Sequence, residues 1–411
     1  MSDPEQSQQD PAQLAEAFLN HTNAHVFLTG KAGTGKTTFL HRIREAAHKR
    51  MLITAPTGIA ALNARGVTLH AQFQLPPCTY LPDRVAPVFD GPVRIETAQS
   101  LLRHFRMSRQ KRLAIREAEL LVIDEVSMLR ADTLDAIDQV LRYVRRDARP
   151  FGGIQLLLIG DMMQLPPVIK DEEYSYLRPY YPDGLYFFHA RALKENPPVY
   201  IELEKIYRQS DRKFTDLLNR LRYNQTAPED LETLNRYFQP DFRPDMGEQY
   251  ITLTTHNYLA KRINEHGLRS IPEPVFRFEA EIQGDFPESM YPCPTDLLLK
   301  EGAQVMFIKN DPSGMGRFYN GKLGRVTSLG ESHITVKTEE GQFIDVESYT
   351  WQNLRYLVSE KTGEIEEEEI GSFKQFPLQL AWAITIHKSQ GLTFEKAVLD
   401  VQQVFASGQA Y

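Results

Sequence analysis

Gly30-Lys31-Ala32-Gly33-Thr34-Gly35-Lys36-Thr37, read as GKAGTGKT, stands between the apolar run HVFLT and the helical stretch TTFLHRIREAAH. Glycines at the end of a strand let backbone N–H groups turn inward around an anion, and the helix start adds the positive end of its dipole. The G-x-x-x-x-G-K-T spacing therefore predicts a phosphate loop on an α/β sheet. Gly30, Gly33, Thr34 and Gly35 form the cradle, Lys36 reaches the β and γ phosphates of ATP, and the Thr37 hydroxyl binds Mg²⁺ with Thr38 beside it.

Outward from this loop, RMLIT, ELLVID and IQLLLIG alternate with amphipathic helical stretches, which predicts a parallel sheet with helices on both faces. A Pro-rich insertion over about 72–97 reads as a surface excursion. VYIELE, KFTDLLNRLRYN and ITLTT open a second alternation, and after Ser270 short β-like runs with Gly and Asn turns suggest a small barrel. The α/β pattern returns with LQLAWAITIHKSQG and KAVLDV. The expected organisation is a first parallel-sheet domain over 1–175, a second over 176–270 and 375–411, and an inserted barrel over 271–374. The acidic run at 364–369 reads as the solvated edge of a hairpin.

At 411 residues the chain suggests two or three domains, and its net charge of −7 lacks the global basic field of a simple nucleic-acid binder. Any nucleic-acid site must be a local track. The longest apolar runs are of strand length, short of a bilayer span, so no membrane partner is expected. The acidic, polar start MSDPEQSQQD has neither a secretion nor a transit pattern, which makes a cytoplasmic location the expectation. Cys78 and Cys293 lie far apart with no metal-ligand spacing, so no zinc-type site is expected.

Two more strands end in polar groups. Leu121-Val122-Ile123-Asp124-Glu125 would bring Asp124 beside the phosphate loop to hold Mg²⁺ through its water shell, and Glu125 to orient and deprotonate the attacking water. Gln155 to Ile159 runs into GDMMQLPP, where the Pro pair stiffens the exit and sets Gln164 at the mouth of the site to sense the γ-phosphate.

Together VFLTGKAGTGKTTFL, ITAPTGIAALNARGVTLHAQF, LLVIDEVSML, RPFGGIQLLLIGDMMQLPPV, IYRQ and FPLQLAWAITIHKSQGLTF resemble the superfamily-one DNA helicases of the PIF type, with RecD-like helicases as cousins. The motifs run in the family's order from about residue 26 onward. The resemblance implies two RecA-like domains with ATP between them, an SH3-like module in the second, a strand-separating wedge at 72–97, and five-prime to three-prime movement along single-stranded DNA. Forked or partial-duplex DNA would be the substrate of a monomeric enzyme, in repair, recombination and telomere maintenance. It also implies that Arg208 is an arginine finger, that Gln13 reads the adenine edge, and that Gln390 and Gly391 lie close to the nucleotide.

The DNA track can be placed by the same matching. Thr57 and Gly58 open a helix whose N–H groups suit a phosphate, and His70 and Phe73 offer a hydrogen bond and a stacking face. Thr254, His256 and Asn257 form the equivalent junction in the second domain. His387, Lys388 and Ser389 of IHKSQG are expected on DNA phosphates, and Lys322 and Arg325 could extend the track. The family continues beyond a GQ-x-Y element to a Ser-Arg, whereas this sequence ends at Tyr411, which keeps a second expectation in view: an ATP-gated DNA-binding module with little unwinding.

Overall fold

A computed structural model describes residues 10–83, 93–103, 105–205, 212–240, 242, 244, 248–313, 315–359, 362–390, 392, 394–400 and 403. The chain divides into two compact units, Met1–Ser210 with Leu354–Glu369, and Asp211–Asn353 with Ile370–Tyr411.

The first unit is built on six parallel strands in the order Val67–Thr68, Met51–Ala55, Leu120–Ile123, Gln155–Ile159, Val26–Gly30, Val199–Leu203. The four central strands are almost wholly buried and rich in Val, Ile and Leu, as a sheet covered on both faces requires. Their side chains alternate between two cores. Phe27, Leu52, Leu121, Ile123, Leu156 and Leu158 pack with the helix Ala131–Arg145. Val26, Leu28, Ile53, Leu120, Val122, Leu157 and Ile159 pack with the helices Pro11–His21 and Lys36–Ala46. Because the strands are parallel, the loops after Gly30, Ala55, Ile123 and Ile159 all leave the same edge of the sheet.

Two expectations are corrected here. Val199–Leu203 does not open the second alternation but closes the first sheet, paired along its length with Val26–Gly30. The insertion is rooted in the core: Thr79–Leu81 pairs with Ile95–Thr97, Tyr80 and Leu81 are buried, and the Tyr80 N–H donates to the buried Asp132 carboxylate at 3.1 Å. The acidic run lies on a hairpin strand as expected, with Glu364, Glu366, Glu367 and Glu369 exposed. The hairpin's tip belongs to the first unit, where Glu367 takes two hydrogen bonds from Arg44 at 2.6 and 2.7 Å and Glu368 pairs with Arg355.

The second unit has its own parallel strands, in the order Ala383–Thr385, Ile251–Thr254, Ala397–Leu399, with the helix Asn257–Arg269 after the middle one. Beside them stands an antiparallel sheet in the order Phe343–Val346, Ile334–Thr338, Leu323–Leu329, Gln304–Phe307, Leu378–Leu380, closed over an apolar core that includes Val305, Phe307, Val336 and Leu378. Its last strand sits well after its first four in the sequence, because the hairpin strands Tyr349–Val358 and Ile365–Gln375 intervene. No described helix is long and apolar enough to cross a membrane.

Candidate functional site

At the loop after the first strand the backbone geometry demands glycine. Gly30 has φ +154°, and a Cβ there would meet Thr34 Oγ1 at 2.5 Å and the Leu203 carbonyl at 2.7 Å. Gly33 and Gly35 take φ of 78° and 91°, a left-handed region costly for side-chain-bearing residues. Thr34 Oγ1 donates to the Lys31 carbonyl at 2.9 Å and ties the turn. Lys36 Nζ donates to the carbonyls of Gly30 at 2.6 Å and Lys31 at 3.1 Å, so the ammonium is held inside the loop. Thr37 and Thr38 are exposed on the first turn of the helix. Gln13 is exposed on the first turn of Pro11–His21, whose N-cap is Asp10.

Beside the loop, Leu120–Ile123 delivers Asp124 and Glu125. The Asp124 N–H donates to the Thr54 carbonyl at 2.9 Å, which fixes the exit from the strand, and Asp124 Oδ1 accepts the Glu125 N–H at 3.0 Å. Glu125 itself is left-handed at φ 51°, ψ 43°, a strained setting for a residue with a long side chain. Burial pushes the Asp124 carboxyl up to about 6, against the pull of its hydrogen bond from Glu125 N–H and of Lys36. Glu125 is pushed up to about 7 by burial first and by the negative charges of Asp124 and Asp161, with Lys36 opposing. Two desolvated acids next to one ammonium form a charge cluster that titrates near neutrality.

The third strand supplies a residue that the sequence reading passed over. Asp161 is fully buried, its Oδ1 accepts the Met163 N–H at 3.1 Å, and its Oδ2 accepts the Gln164 side-chain amide at 3.2 Å. Gln164 is thereby oriented by its own loop. The signal was present in Gly160-Asp161-Met162-Met163-Gln164 as an acid three residues before the glutamine, a spacing suited to a side chain folding back in a turn.

Expected DNA contacts divide by exposure. Thr57 caps the six-residue helix Gly58–Asn63, accepting the Ala60 N–H at 3.3 Å, and it and Gly58 are half-buried. His70 is exposed at the surface, while partial desolvation of its ring, with the charge of Arg130, lowers its imidazole below the ordinary value. Phe73 is fully buried in the first core, so its expected stacking face is corrected: four residues after the buried Leu69 on the short helix Leu69–Phe73, it packs inward with it. Thr254 is likewise fully buried, and its hydroxyl faces the protein interior, which corrects its expected phosphate contact. His256 is half-buried and bonded to Thr255 Oγ1 at 2.7 Å, while Asn257 is exposed at the start of its helix.

IHKSQG is a single helical turn, Ile386–Ser389, on the end of the strand Ala383–Thr385, and Thr385 pairs with Thr254 in register. Lys388 is exposed; His387 is half-buried, and burial lowers its imidazole below the ordinary value; Ser389 Oγ donates to the Ile386 carbonyl at 2.8 Å. Gln390 follows as the C-cap. Lys322 pairs with Glu340 at 3.0 Å and Arg325 donates to the Gly302 carbonyl at 3.1 Å, so both are engaged within the barrel. Arg208 and Gly391 lie outside the described residues. Among the described residues no cluster of three or more His, Cys, Asp or Glu could hold a metal by itself, and both cysteines are unpaired.

A family model for the PIF1-like helicase matches residues 5–80 and 85–222. The chain belongs to the PIF1-like helicase family. Among curated relatives, the human ATP-dependent DNA helicase PIF1 is 33% identical over 425 residues, covering 99% of this chain and 58% of that protein. The ATP-dependent DNA helicase Pif1 of Bdellovibrio bacteriovorus is 30% identical over 412 residues, covering 98% and 84%. A crystal structure of Bacteroides sp Pif1 in complex with ADP-AlF4 matches with a TM-score of 0.86 and 40% identity over 98% of this chain and 88% of that one. Bacteroides Pif1 bound to ssDNA matches with a TM-score of 0.64 at 40% identity, covering 98% and 88%. This PIF1-like chain spans only about 58% of the human relative's length.

Proposed function

We propose that the chain is an ATP-driven DNA helicase that moves five-prime to three-prime on single-stranded DNA and unwinds forked or partial duplexes as a monomer. The observation that carries this reading is the convergence of the phosphate loop, the Asp124–Glu125 pair and Gln164 on one edge of a parallel sheet, in a chain whose relatives are named ATP-dependent DNA helicases. A Bacteroides relative bound to ADP-AlF4 and another bound to ssDNA support the choice of nucleotide and polymer.

In this reading Lys36 moves its ammonium from the Gly30 and Lys31 carbonyls to the β and γ phosphates, exchanging weak dipole acceptors for charged ones. Glu125, close to half ionised at neutral pH, takes the proton of the attacking water. Gln164, held by Asp161, touches the γ-phosphate, and Arg208 neutralises charge on the transferring group. The donor set suits Mg²⁺, which takes one or two protein oxygens and leaves the rest to phosphates and water. Thr37 and Asp124 would hold it, and it would offset phosphate charge. Thr57, Gly58, His70, His256, Asn257, His387, Lys388 and Ser389 contact the strand, with Lys388 the cation among them.

A DNA-binding module with little unwinding is not favoured, since the relatives named above are helicases. DNA-stimulated ATPase measured beside unwinding of five-prime- and three-prime-tailed duplexes, with Lys36→Ala as control, tests the reading. Failure of both DNA and RNA to raise the ATPase rate while still binding would sink it.

A further inference from the structure

We propose that the outer face of the helix Arg109–Glu117, with the segment leading into it, binds the phosphate backbone of the duplex arm of a fork; this rests on the helicase reading above. Residues 103–116, RHFRMSRQKRLAIR, hold five arginines, one lysine and no carboxylate, in a chain whose net charge is −7. The helix buries Ala114 and Ile115 in the first core and leaves Arg109, Gln110, Leu113 and Arg116 exposed. Arg109, Arg112 and Arg116, at spacings of three and four, lie on one face, a rail of about 10 Å at 1.5 Å per residue. Arg103 and Arg106 are exposed just before it.

These cations are not spent on the protein's own acids. Among the described residues no carboxylate pairs with Arg103, Arg106, Arg109 or Arg112, and Arg112 Nε, shielded from solvent, has no hydrogen-bond partner. Like charges in a row repel, so the isolated face carries a cost that a polyanion would relieve. A guanidinium matches phosphate oxygens with two parallel donors.

Position and chemistry select the occupant. Lys111 Nζ, off the arginine face, donates to the Ala71 carbonyl at 2.8 Å and fastens the helix beside the exposed His70 of the candidate strand track. Single-strand sites combine cations with aromatic platforms for the bases. This helix presents no aromatic ring, and the neighbouring exposed Tyr143 stands edge-on to Phe105 at 6.0 Å. Contacts of that kind read a backbone and ignore bases. Duplex DNA, with one charge per roughly 1.7 Å, sets several phosphates against such a rail.

The test is a variant with the exposed Arg103, Arg106 and Arg109 and the half-buried Arg112 each changed to Gln, its fold checked by thermal melting. Affinity is measured across a salt series for a fork and for a single strand matching the fork's tail, beside single-strand-stimulated ATPase. The expected result is a fork affinity lower by roughly tenfold or more at low salt, and a fork log–log salt slope shallower by about 2 to 3. Single-strand affinity and stimulated ATPase should stay within about twofold. An unchanged fork slope, or an equal loss on the single strand, overturns the proposal. The wild type gives an independent reading, because its salt slope must be steeper on the fork than on the single strand. Wild-type ATPase that single-stranded DNA does not stimulate defeats the helicase reading itself; stimulated ATPase with an unchanged variant slope defeats only this inference.

Discussion

The side-chain amide of Gln164 is anchored to the fully buried carboxylate of Asp161 at 3.2 Å, and the same carboxylate accepts the Met163 N–H. This anchor gives the Gln164 amide a fixed direction, so the γ-phosphate sensor proposed at this residue would be set before nucleotide arrives. Hydrogen bonds to charged groups contribute about 1.5–3 kcal/mol. Asp161→Asn should therefore lower kcat for ATP by roughly ten- to a hundredfold while the KM for ATP moves little, as expected when positioning rather than ground-state binding is lost. Steady-state ATPase with saturating DNA is the measurement. A KM rise with kcat intact would assign Asp161 to nucleotide binding instead.

Acidity at the Asp124–Glu125 pair makes a prediction of opposite sign for stability and for activity. Glu125 rises from an ordinary 4.5 to about 7, so between those values the folded chain keeps a proton that the unfolded chain has released. Stability without nucleotide must then fall as pH rises through that window, and the penalty is complete above about 7. Glu125→Gln should stabilise the protein by roughly 1–2 kcal/mol at pH 8, after allowance for the partial solvent exposure of the site, and by nothing at pH 4. The proposed role of Glu125 as base needs the ionised form. Wild-type kcat/KM should decline on acidification below about 7 as the coupled pair takes up a proton, and Glu125→Gln should be inactive throughout.

Tyr356, on the hairpin tip, places its hydroxyl against the backbone of Ile53, accepting its N–H at 3.1 Å and donating to its carbonyl at 3.3 Å. The neighbouring strand Val67–Thr68 is too short to reach this point, pairing only with Thr54 and Ala55. Tyr356→Phe would strand a buried N–H and should cost about 1–3 kcal/mol in urea unfolding. Arg44→Ala, which removes the pairing with the partly exposed Glu367, should cost under about 1 kcal/mol. Similar losses from the two variants would place the hairpin's hold at its rim and not at Tyr356.

How far the sequence could be read depends on whether a signal was local. Gly30, Gly33, Gly35 and Lys36 announce a loop through spacing alone, and the alternating buried strands announce a sheet. Val199–Leu203 carries the same local signal as any strand, and only long-range pairing assigns it to the first sheet. The acidic run at 364–369 has a solvated composition, yet its partner Arg44 stands more than 300 residues earlier. Thr254 and Phe73 show the converse error: a motif does not say which of its residues long-range packing buries, and both are buried beside exposed motif residues. Asp161 lay in plain view, but its role depends on a turn geometry that spacing only suggests.

Burial separates two residues of one motif by experiment. Phe73 is fully buried with Leu69, Leu75 and Tyr80, whereas His70, one turn earlier, is exposed. Truncating a buried phenylalanine costs roughly 3–5 kcal/mol through lost contacts and the cavity left behind. Phe73→Ala should therefore appear in urea unfolding as a loss of that size, and the fraction that remains folded should bind single-stranded DNA with near wild-type affinity. His70→Ala should leave stability within about 0.5 kcal/mol, as surface changes usually do. Its single-strand affinity should fall severalfold, because an imidazole lowered by desolvation and Arg130 contributes a hydrogen bond more than a charge. The contrast can be read by anisotropy titration of both proteins at a temperature where each is folded. Should Phe73→Ala keep its stability and lose affinity, the ring would have to turn outward on binding DNA, and the buried placement would describe only the protein without its strand.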